Sequence, residues 1–448
     1  PLTPPAEHRA AEAASGGTAA GSPPAPGTAG TGEQERPALG PDATLDDYRR
    51  HAVLSNPGLR ALHHEWRAAR ERAPQARALP EPRFGYTEFL QEVETRAGPQ
   101  ERKFSLSQPV PWPGRLILRG SVEEKRALAA RQRLLAAQLV VDEQLRRVYA
   151  ETYYLGRSIA VTRQNLELLQ SLESVARQKL AAGADNHPDT IRLQVEMGRL
   201  EDRLNSLVDR RRPLASRLNS ILHRPADTPV PWPPGLPEPR IVADEELARR
   251  LEANNPELLA LHHEVERAEL ERRLARQRYF PDFSVGVETI ATGSAIAPGT
   301  PGSGDDPFLL TFSMELPIWY PKYRAGEREA AESLRAAEDR RTDGRARLAA
   351  DLDLALYDLR DAERRLSLYR NTLIPKTEES LTATVTAYRA GTADFLDLID
   401  AERSLLEFQL AVERALADRQ LAEARIDRLL GRYVIPPASD DARDGKED

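Results

Sequence analysis

Two adjacent histidines followed by a glutamate occur twice in the chain, a combination of side chains that can bind a metal ion. The stretch "ALHHE" covers residues 61–65 and again residues 260–264. Neighbouring residues on a helix point in different directions, whereas metal-binding helices space their ligands three or four residues apart. The histidines are therefore interpreted as helix-surface residues, with a weak site between chains as the alternative, and no metal or cofactor is predicted.

The rest of the sequence contains no recognisable catalytic motif. There is no P-loop, no glycine-rich dinucleotide turn and no Gly-x-Ser-x-Gly. The absence of cysteine excludes disulfides, thiolate metal sites and thiol catalysis. Carboxylates are abundant, but on helices in which 30% of all residues are charged they usually form a solvated face. We therefore predict that the protein is not an enzyme.

The charge pattern argues against nucleic acid as a partner. The net charge is −7, from 63 basic and 70 acidic residues, and the two signs are interspersed. The sequence has no stretch of about 18 apolar residues, so no transmembrane helix is predicted.

The histidine pairs belong to a longer internal duplication. Asn56-Pro57 corresponds to Asn255-Pro256, and Phe84 corresponds to Phe283. Further along, Ala182-Gly183 corresponds to Ala390-Gly391, after an insertion in the second copy. The sequence predicts a disordered or extended segment over 1–41, a first repeat over 42–232, a second repeat over 233–435 and a flexible tail over 436–448. Each repeat is expected to contain a helix (near 44–73 and 243–278), a β-hairpin and a pair of long helices.

The hairpins are predicted from alternating apolar and polar residues. In "FLLTFSMEL" the residues Phe308, Leu310 and Phe312 share one face, and "FSVGVETI" alternates in the same way. "RFGYTEFLQ" and "RKFSLSQPV" form the weaker counterpart in the first copy. Four strands cannot close into a barrel alone. Two interpretations remain open: a transmembrane β-barrel built from several chains, or a small soluble β-layer on a helical bundle.

Prolines end each hairpin, in "QPVPWPGR" and "ELPIWYPKYR", because proline cannot donate to a strand ladder. Trp112, Trp319 and Tyr320 lie at these exits, where either an interfacial aromatic belt or an ordinary core would place them.

Long helices are predicted over 115–182 and 323–390, with return helices from about 189 to 224 and from about 394 to 432. Their apolar stripes are thin, as in Leu166, Leu169 and Leu172, which indicates coiled-coil packing. Pro213 and Pro375 are expected to bend or unwind these helices.

These residues together resemble the TolC family of outer-membrane efflux proteins. The resemblance rests on "NNPELLALHHEVERAELERRLARQRYFPDFSVGV", on "MELPIWYPKYRAGEREAAE" and on "YRAGTADFLDLIDAERSLLEFQLAVERALADRQLAEARIDRLLG", and it covers roughly residues 44–436. It implies an α+β membrane protein. Three protomers would contribute four strands each to one 12-stranded transmembrane β-barrel, which a long periplasmic α-helical barrel would continue.

The resemblance also implies function and partners. The protein would be a homotrimeric exit duct in the outer membrane, extending into the periplasm. It would passively conduct substrates delivered by a periplasmic adaptor and an inner-membrane pump of the RND type. "SQPVPWPGR" is most similar to the branch that serves heavy-metal pumps, with multidrug or type I secretion partners as the alternatives.

By position, the resemblance further implies a gated pore entrance. Asp397 and Asp400 match an acidic ring, Tyr388 matches a tyrosine that holds the entrance shut, and Asp189 matches its polar partner in the first copy. Gly183 and Gly391 match the tips that meet the adaptor. The alternative is that the acids are simply exposed on a loop.

Two other classes of protein compete with the duct. A soluble coiled-coil scaffold would explain the long helices but not the alternating hairpins at matching points of both copies. A periplasmic adaptor also has a helical hairpin, but it lacks a full-length duplication.

Overall fold

The computed structural model describes residues 39–40, 43–181, 187–238 and 246–433. The predicted segment 1–41 lies almost wholly outside these residues, and the predicted tail 436–448 lies wholly outside. The first repeat contains α1 (Leu45–Ser55), α2 (Pro57–Arg70), α3 (Arg72–Arg77), β1 (Arg83–Thr95), β2 (Gly98–Val110), α4 (Arg115–Ala181), α5 (His187–Asp209) and α6 (Arg211–Ile221). The second contains α7 (Leu247–Asn254), α8 (Pro256–Gln277), β3 (Asp282–Thr292), β4 (Phe308–Glu315), α9 (Tyr320–Leu368), a π-helical segment (Tyr369–Leu373), α10 (Ile374–Ala390) and α11 (Phe395–Leu429).

The Asn-Pro pairs start new helices, so the expected single helices over 44–73 and 243–278 are wrong. The Asn56 side chain accepts a hydrogen bond from the Leu59 N–H at 3.1 Å and caps α2. The Asn255 side chain caps α8 in the same way, through the Leu258 N–H at 3.0 Å. The proline that follows occupies a first-turn position, where its missing N–H costs nothing, and the preceding helix ends before it.

The four strands form one antiparallel sheet in the order β1-β2-β3-β4, so β2 and β3 join the two repeats and β1 and β4 lie at the edges. The register sets apolar residues opposite one another in rows. In one row, Phe84 pairs with Leu106, Leu106 with Val287, and Val287 with Leu310. This apolar face is exposed in the single chain: Leu310 is 75% exposed and Phe312 is 68% exposed.

The opposite face of the sheet is largely polar. Lys103 forms a 2.6 Å ion pair with Glu288 on the neighbouring strand, and Ser105 and Thr311 lie on the same face. The sheet therefore presents apolar side chains on one side and charged or hydroxyl side chains on the other.

A buried arginine joins the sheet to the helices. Arg115, at the start of α4, forms an ion pair with Asp282 at the start of β3 and donates to the Gln277 carbonyl at 2.7 Å. The Trp112 ring stacks on Phe280 with ring centroids 4.6 Å apart, so this tryptophan is a packed residue. Trp319 and Tyr320 are exposed, in keeping with a place at a membrane interface.

The helix α4 runs unbroken for 67 residues, about 100 Å at 1.5 Å per residue. Its counterpart in the second repeat is interrupted by the π-helical segment, and Pro375 lies in the first turn of α10 that follows. In the return helix of the first repeat, α5 ends at Asp209 and α6 begins at Arg211, two residues before Pro213. The expectation that these two prolines disturb their helices is confirmed.

The long helices pack in a row, with α4 and α11 side by side, α5 against α4, and α9 and α10 against α11. Polar contacts join α4 to α11 along their upper part: Arg146 to Asp427 at 2.7 Å, Arg157 to Glu413 at 2.8 Å, and Asn165 to Gln409 at 3.0 Å. Toward the tip the contact becomes an apolar cluster that includes Leu169, Leu193, Leu381, Leu398 and Leu406. Among the described residues, none of the helices has an apolar stretch sufficient for a membrane crossing.

Candidate pore entrance

The turn between α10 and α11 is built by a glycine that ends the first helix. Gly391 adopts a left-handed conformation with φ 79°, which side chains other than glycine adopt only at a cost. Its N–H donates to the Tyr388 carbonyl at 3.1 Å, and the Thr392 N–H donates to the Ala387 carbonyl at 2.9 Å. This is the Schellman pattern of helix termination. Asp394 then caps α11 by accepting from the Phe395 N–H at 2.7 Å.

Tyr388 lies just before this turn and is buried. Its ring packs edge-on against Phe395, with centroids 5.8 Å apart and planes at 60°. In the single chain it is thus part of the apolar cluster that holds α10 against α11. The role of Tyr388 in closing an entrance stays a prediction.

Asp397 and Asp400 lie on the first turns of α11 and are both exposed. They are three residues apart and therefore share one side of the helix. Asp397 is in the first turn, where the positive end of the helix dipole favours a carboxylate. Asp400 approaches Arg403 at 3.8 Å and is 76% exposed at its side chain. The fold thus brings both acids, with Tyr388 and Gly391, to one end of the helix pair.

The first-repeat side of the predicted entrance is only partly described. Gly183 lies outside the described residues. Asp189 falls within α5, but its side chain is not among those described. Their roles in adaptor docking and in gating stay predictions.

An ion pair close to the entrance was missed from the sequence. Arg403 on α11 donates to both carboxylate oxygens of Glu196 on α5, at 2.6 Å and 3.2 Å. These hydrogen bonds lower the pKa of Glu196, which burial alone would raise. The pair ties the return helix of the first repeat to that of the second.

The neighbouring residue, Glu402, was also missed. Its side chain is fully buried, and neither carboxyl oxygen has a hydrogen-bond partner among the described residues. Burial raises the pKa of Glu402 to about 7, and the negative charge of Glu196 contributes to the rise. The sequence carried one sign of this: Glu402 lies four residues after Leu398 and four before Leu406, so it falls on the apolar stripe of α11.

The histidine pairs that opened the sequence analysis lie far along the chain from this turn, on α2 and α8. His263 Nδ1 lies 2.8 Å from Glu266, whose carboxylate also pairs with Lys125 at 2.9 Å. His63 packs edge-on against Trp66. Within the described ranges, no group of three or more His, Asp or Glu side chains is arranged to hold a metal ion.

Solved structures show what fold this arrangement belongs to. The outer-membrane channel OprN matches with a TM-score of 0.72 at 19% identity, over 88% of this chain and 91% of that one. The channel CusC matches with a TM-score of 0.72 at 16% identity, over 86% of this chain and 91% of that one. The predicted fold class, a sheet of barrel strands continued by long channel helices, is confirmed.

Sequence comparison shows which family the second repeat resembles. The model described as "Outer membrane efflux protein" matches residues 247–432, the greater part of the second repeat. Over these residues the chain is similar to the outer-membrane efflux protein family. The chain is also 22% identical to the cobalt-zinc-cadmium resistance protein CzcC of Cupriavidus metallidurans, over 89% of the chain and 92% of that relative. It is 25% identical to the outer membrane protein OprJ of Pseudomonas aeruginosa, over 68% of the chain and 64% of that relative.

These similarities bear on two earlier expectations. The resemblance to TolC-family channels is confirmed, and so is the location in the outer membrane. The family consists of transport channels rather than enzymes.

Proposed function

We propose that this protein forms the homotrimeric exit duct of a tripartite efflux system. The observation that carries the proposal is the four-stranded sheet, which is apolar and exposed on one face and polar on the other. Within the described residues, its edge strands β1 and β4 each pair with one neighbouring strand only. Strand edges in a membrane have to be paired, because lipid offers no hydrogen bonds. Three copies would supply twelve strands, with the apolar face toward lipid and the Lys103–Glu288 face toward the lumen.

The helices support the same assembly. In the described part of the chain, the outer helices of the row α5–α4–α11–α9 expose apolar residues such as Val195 on α5 and Tyr357 on α9. In the proposed trimer, α5 of one protomer packs against α9 and α10 of the next, which closes a helical barrel below the sheet. The proposed duct is passive, with the energy for transport supplied by the partner pump.

The proposed partners are a periplasmic adaptor at the α10–α11 turn and an RND-type pump in the inner membrane. The proposed substrates are metal cations. CzcC bears cobalt, zinc and cadmium in its name, and exposed Asp397 and Asp400 would form rings of carboxylates that favour cations over anions. Gly391 at the turn would be part of the adaptor contact, with Gly183 from the first repeat.

The molar mass of the protein purified in detergent tests the assembly. Light scattering corrected for bound detergent should give about three times the chain mass of 49.9 kDa, with aggregation when the detergent is removed. A monodisperse monomer or dimer that stays in solution without detergent would contradict the proposal.

The acidic residues are tested by ion selectivity. Replacing both Asp397 and Asp400 by alanine should lower the cation-to-anion permeability ratio of the channel in planar bilayers. Glu65→Ala with Glu269→Ala removes the same charge from exposed positions on α2 and α8, away from the turn, and should leave the ratio unchanged. Equal effects of the two double variants would remove Asp397 and Asp400 from the entrance.

A further inference from the structure

We propose that Glu402 is a proton-binding site that controls how α11 packs next to the turn. When the proton is bound, α11 stays packed against its neighbouring helices, and loss of the proton weakens that packing. The site lies outside the residues assigned to the entrance.

The first argument is the surroundings of the side chain. Glu402 is 0% exposed, one helical turn from Leu398 and from Leu406, and both leucines belong to the apolar cluster. Neither carboxyl oxygen has a partner in the described part of the chain. Buried polar groups are normally hydrogen-bonded, and an unpaired buried carboxylate is costly, so such a group takes up a proton instead.

The second argument is the contrast with two other buried carboxylates on the same helix. Higher up, α11 places Glu413 and Asp427 against α4, and each is paired with an arginine of that helix, Arg157 and Arg146. Those carboxylates are neutralised by fixed charges. Among the described residues Glu402 has no such arginine, so a proton is its means of neutralisation.

The third argument is the set of charges that act on the carboxyl. Glu196 on α5 raises its pKa and Arg403 on α11 lowers it. Arg403 directs its hydrogen bonds to both oxygens of Glu196, and among the described residues it makes none to Glu402. The other packed elements contribute Leu169 from α4, and Leu381 with Tyr388 from α10, to this cluster.

The sign of the pH dependence follows from the direction of the shift. Burial raises the pKa of Glu402 to about 7 when α11 is packed, whereas a solvated glutamate has a value of 4.5. The packed arrangement binds the proton more tightly, so it is favoured at low pH. It loses stability as the pH rises from 4.5 to 7, and the loss is complete above 7. Between pH 6 and 8.5 the equilibrium for local opening should rise about ten-fold.

The position of the site suggests what the proton controls. Glu402 is five residues beyond Asp397 on the same helix, about 7.5 Å along its axis. Loosening of α11 would therefore move the acidic residues at the turn. This link to conduction rests on the proposed function, whereas the proton site itself does not.

Hydrogen exchange measured by mass spectrometry tests the site on the full-length protein in detergent. After correction for intrinsic exchange rates, the segment 396–410 should lose about ten-fold in protection between pH 6 and pH 8.5. Glu402→Gln, which mimics the protonated carboxyl, should keep the protection of low pH throughout. The matched control is Glu407→Gln, an exposed glutamate on α11, which should behave as the wild type.

A second variant keeps the test decisive if Glu402→Gln folds poorly. Glu196→Gln removes the neighbouring negative charge and frees Arg403, so the pH midpoint of the exchange change should fall. Protection that does not depend on pH in the wild type, or a midpoint that Glu196→Gln leaves in place, would overturn the proposal.

Single-channel conductance separates the site from the duct. Opening that increases from pH 6 to 8.5 in the wild type, and not in Glu402→Gln, would support control of the entrance. PH-dependent exchange with pH-independent conductance would keep the proton site and overturn its link to the entrance. PH-dependent exchange in a protein that never conducts would count against the proposed function and leave the proton site standing.

Discussion

Replacing Leu310 by arginine should destabilise the membrane-inserted protein far more than the same replacement at Leu309. The two leucines are adjacent on β4 and point to opposite faces of the sheet. Leu310 lies in the row formed with Val287 and Leu106, with Phe308 and Phe312 on either side along its own strand. It is therefore near the middle of the apolar face, the depth at which lipid tolerates charge least.

The magnitude follows from this depth. An arginine that faces lipid at the bilayer midplane costs about 2–4 kcal/mol, which amounts to roughly 6–12 kcal/mol for three copies in a trimer. At Leu309 the arginine would face the polar side and lie opposite Glu288, so the expected cost is at most about 1 kcal/mol per copy.

Urea-dependent unfolding from phospholipid vesicles, followed by tryptophan fluorescence, measures the difference. The midpoint for Leu310→Arg should fall well below that of the wild type, with Leu309→Arg close to the wild type. Equal losses, or a larger loss for Leu309→Arg, would refute the assignment of the two faces.

Two further predictions concern helix ends. Asn255→Ala should lower the thermal unfolding temperature more than Asn56→Ala. Each substitution removes a helix cap worth about 1 kcal/mol. Asn255 also donates a hydrogen bond to the buried Leu429 carbonyl at 2.9 Å, and that carbonyl would lose its partner. Equal shifts would show that this second bond contributes nothing. Gly391→Ala should cost about 1–2 kcal/mol at the turn, seen as faster amide exchange over residues 388–395, because φ there is 79°. Gly198→Ala, in the middle of α5 with open space around its Cα, should instead slow exchange in its own helix.

The duplication made much of the fold predictable from the sequence. Each element had to appear twice in the same order, so the clear strands around Phe283 and Phe308 supported the weaker pair around Phe84 and Phe104. The effects of the prolines were predictable because a proline removes a hydrogen bond from its own helix, whatever that helix packs against. What failed was the continuity of the first helix in each repeat, because Asn56 and Asn255 end one helix and cap the next.

The entrance was less accessible to sequence reasoning. The exposed acids Asp397 and Asp400 were found by resemblance, but the partners around them depend on which helices pack together. Glu196 and Arg403 are far apart in the sequence, and only the packing of α5 near α11 joins them. Glu402 looks like one more solvated acid on a charged helix until its neighbours Leu398 and Leu406 are known to be buried.

The unequal continuity of the long helices has a mechanical consequence. The central helix α4 is one uninterrupted rod from Arg115 at the sheet to the region of the turn, and the buried contact of Arg115 with Asp282 fixes its upper end. The outer helices of the row each contain a joint, at residues 369–373 on one side and at Arg210 on the other. Bending stress on a protomer would thus concentrate along its two borders. A duct made of three such protomers would widen by bending at the borders between protomers. The three continuous α4 helices would keep their length and their attachment to the sheet.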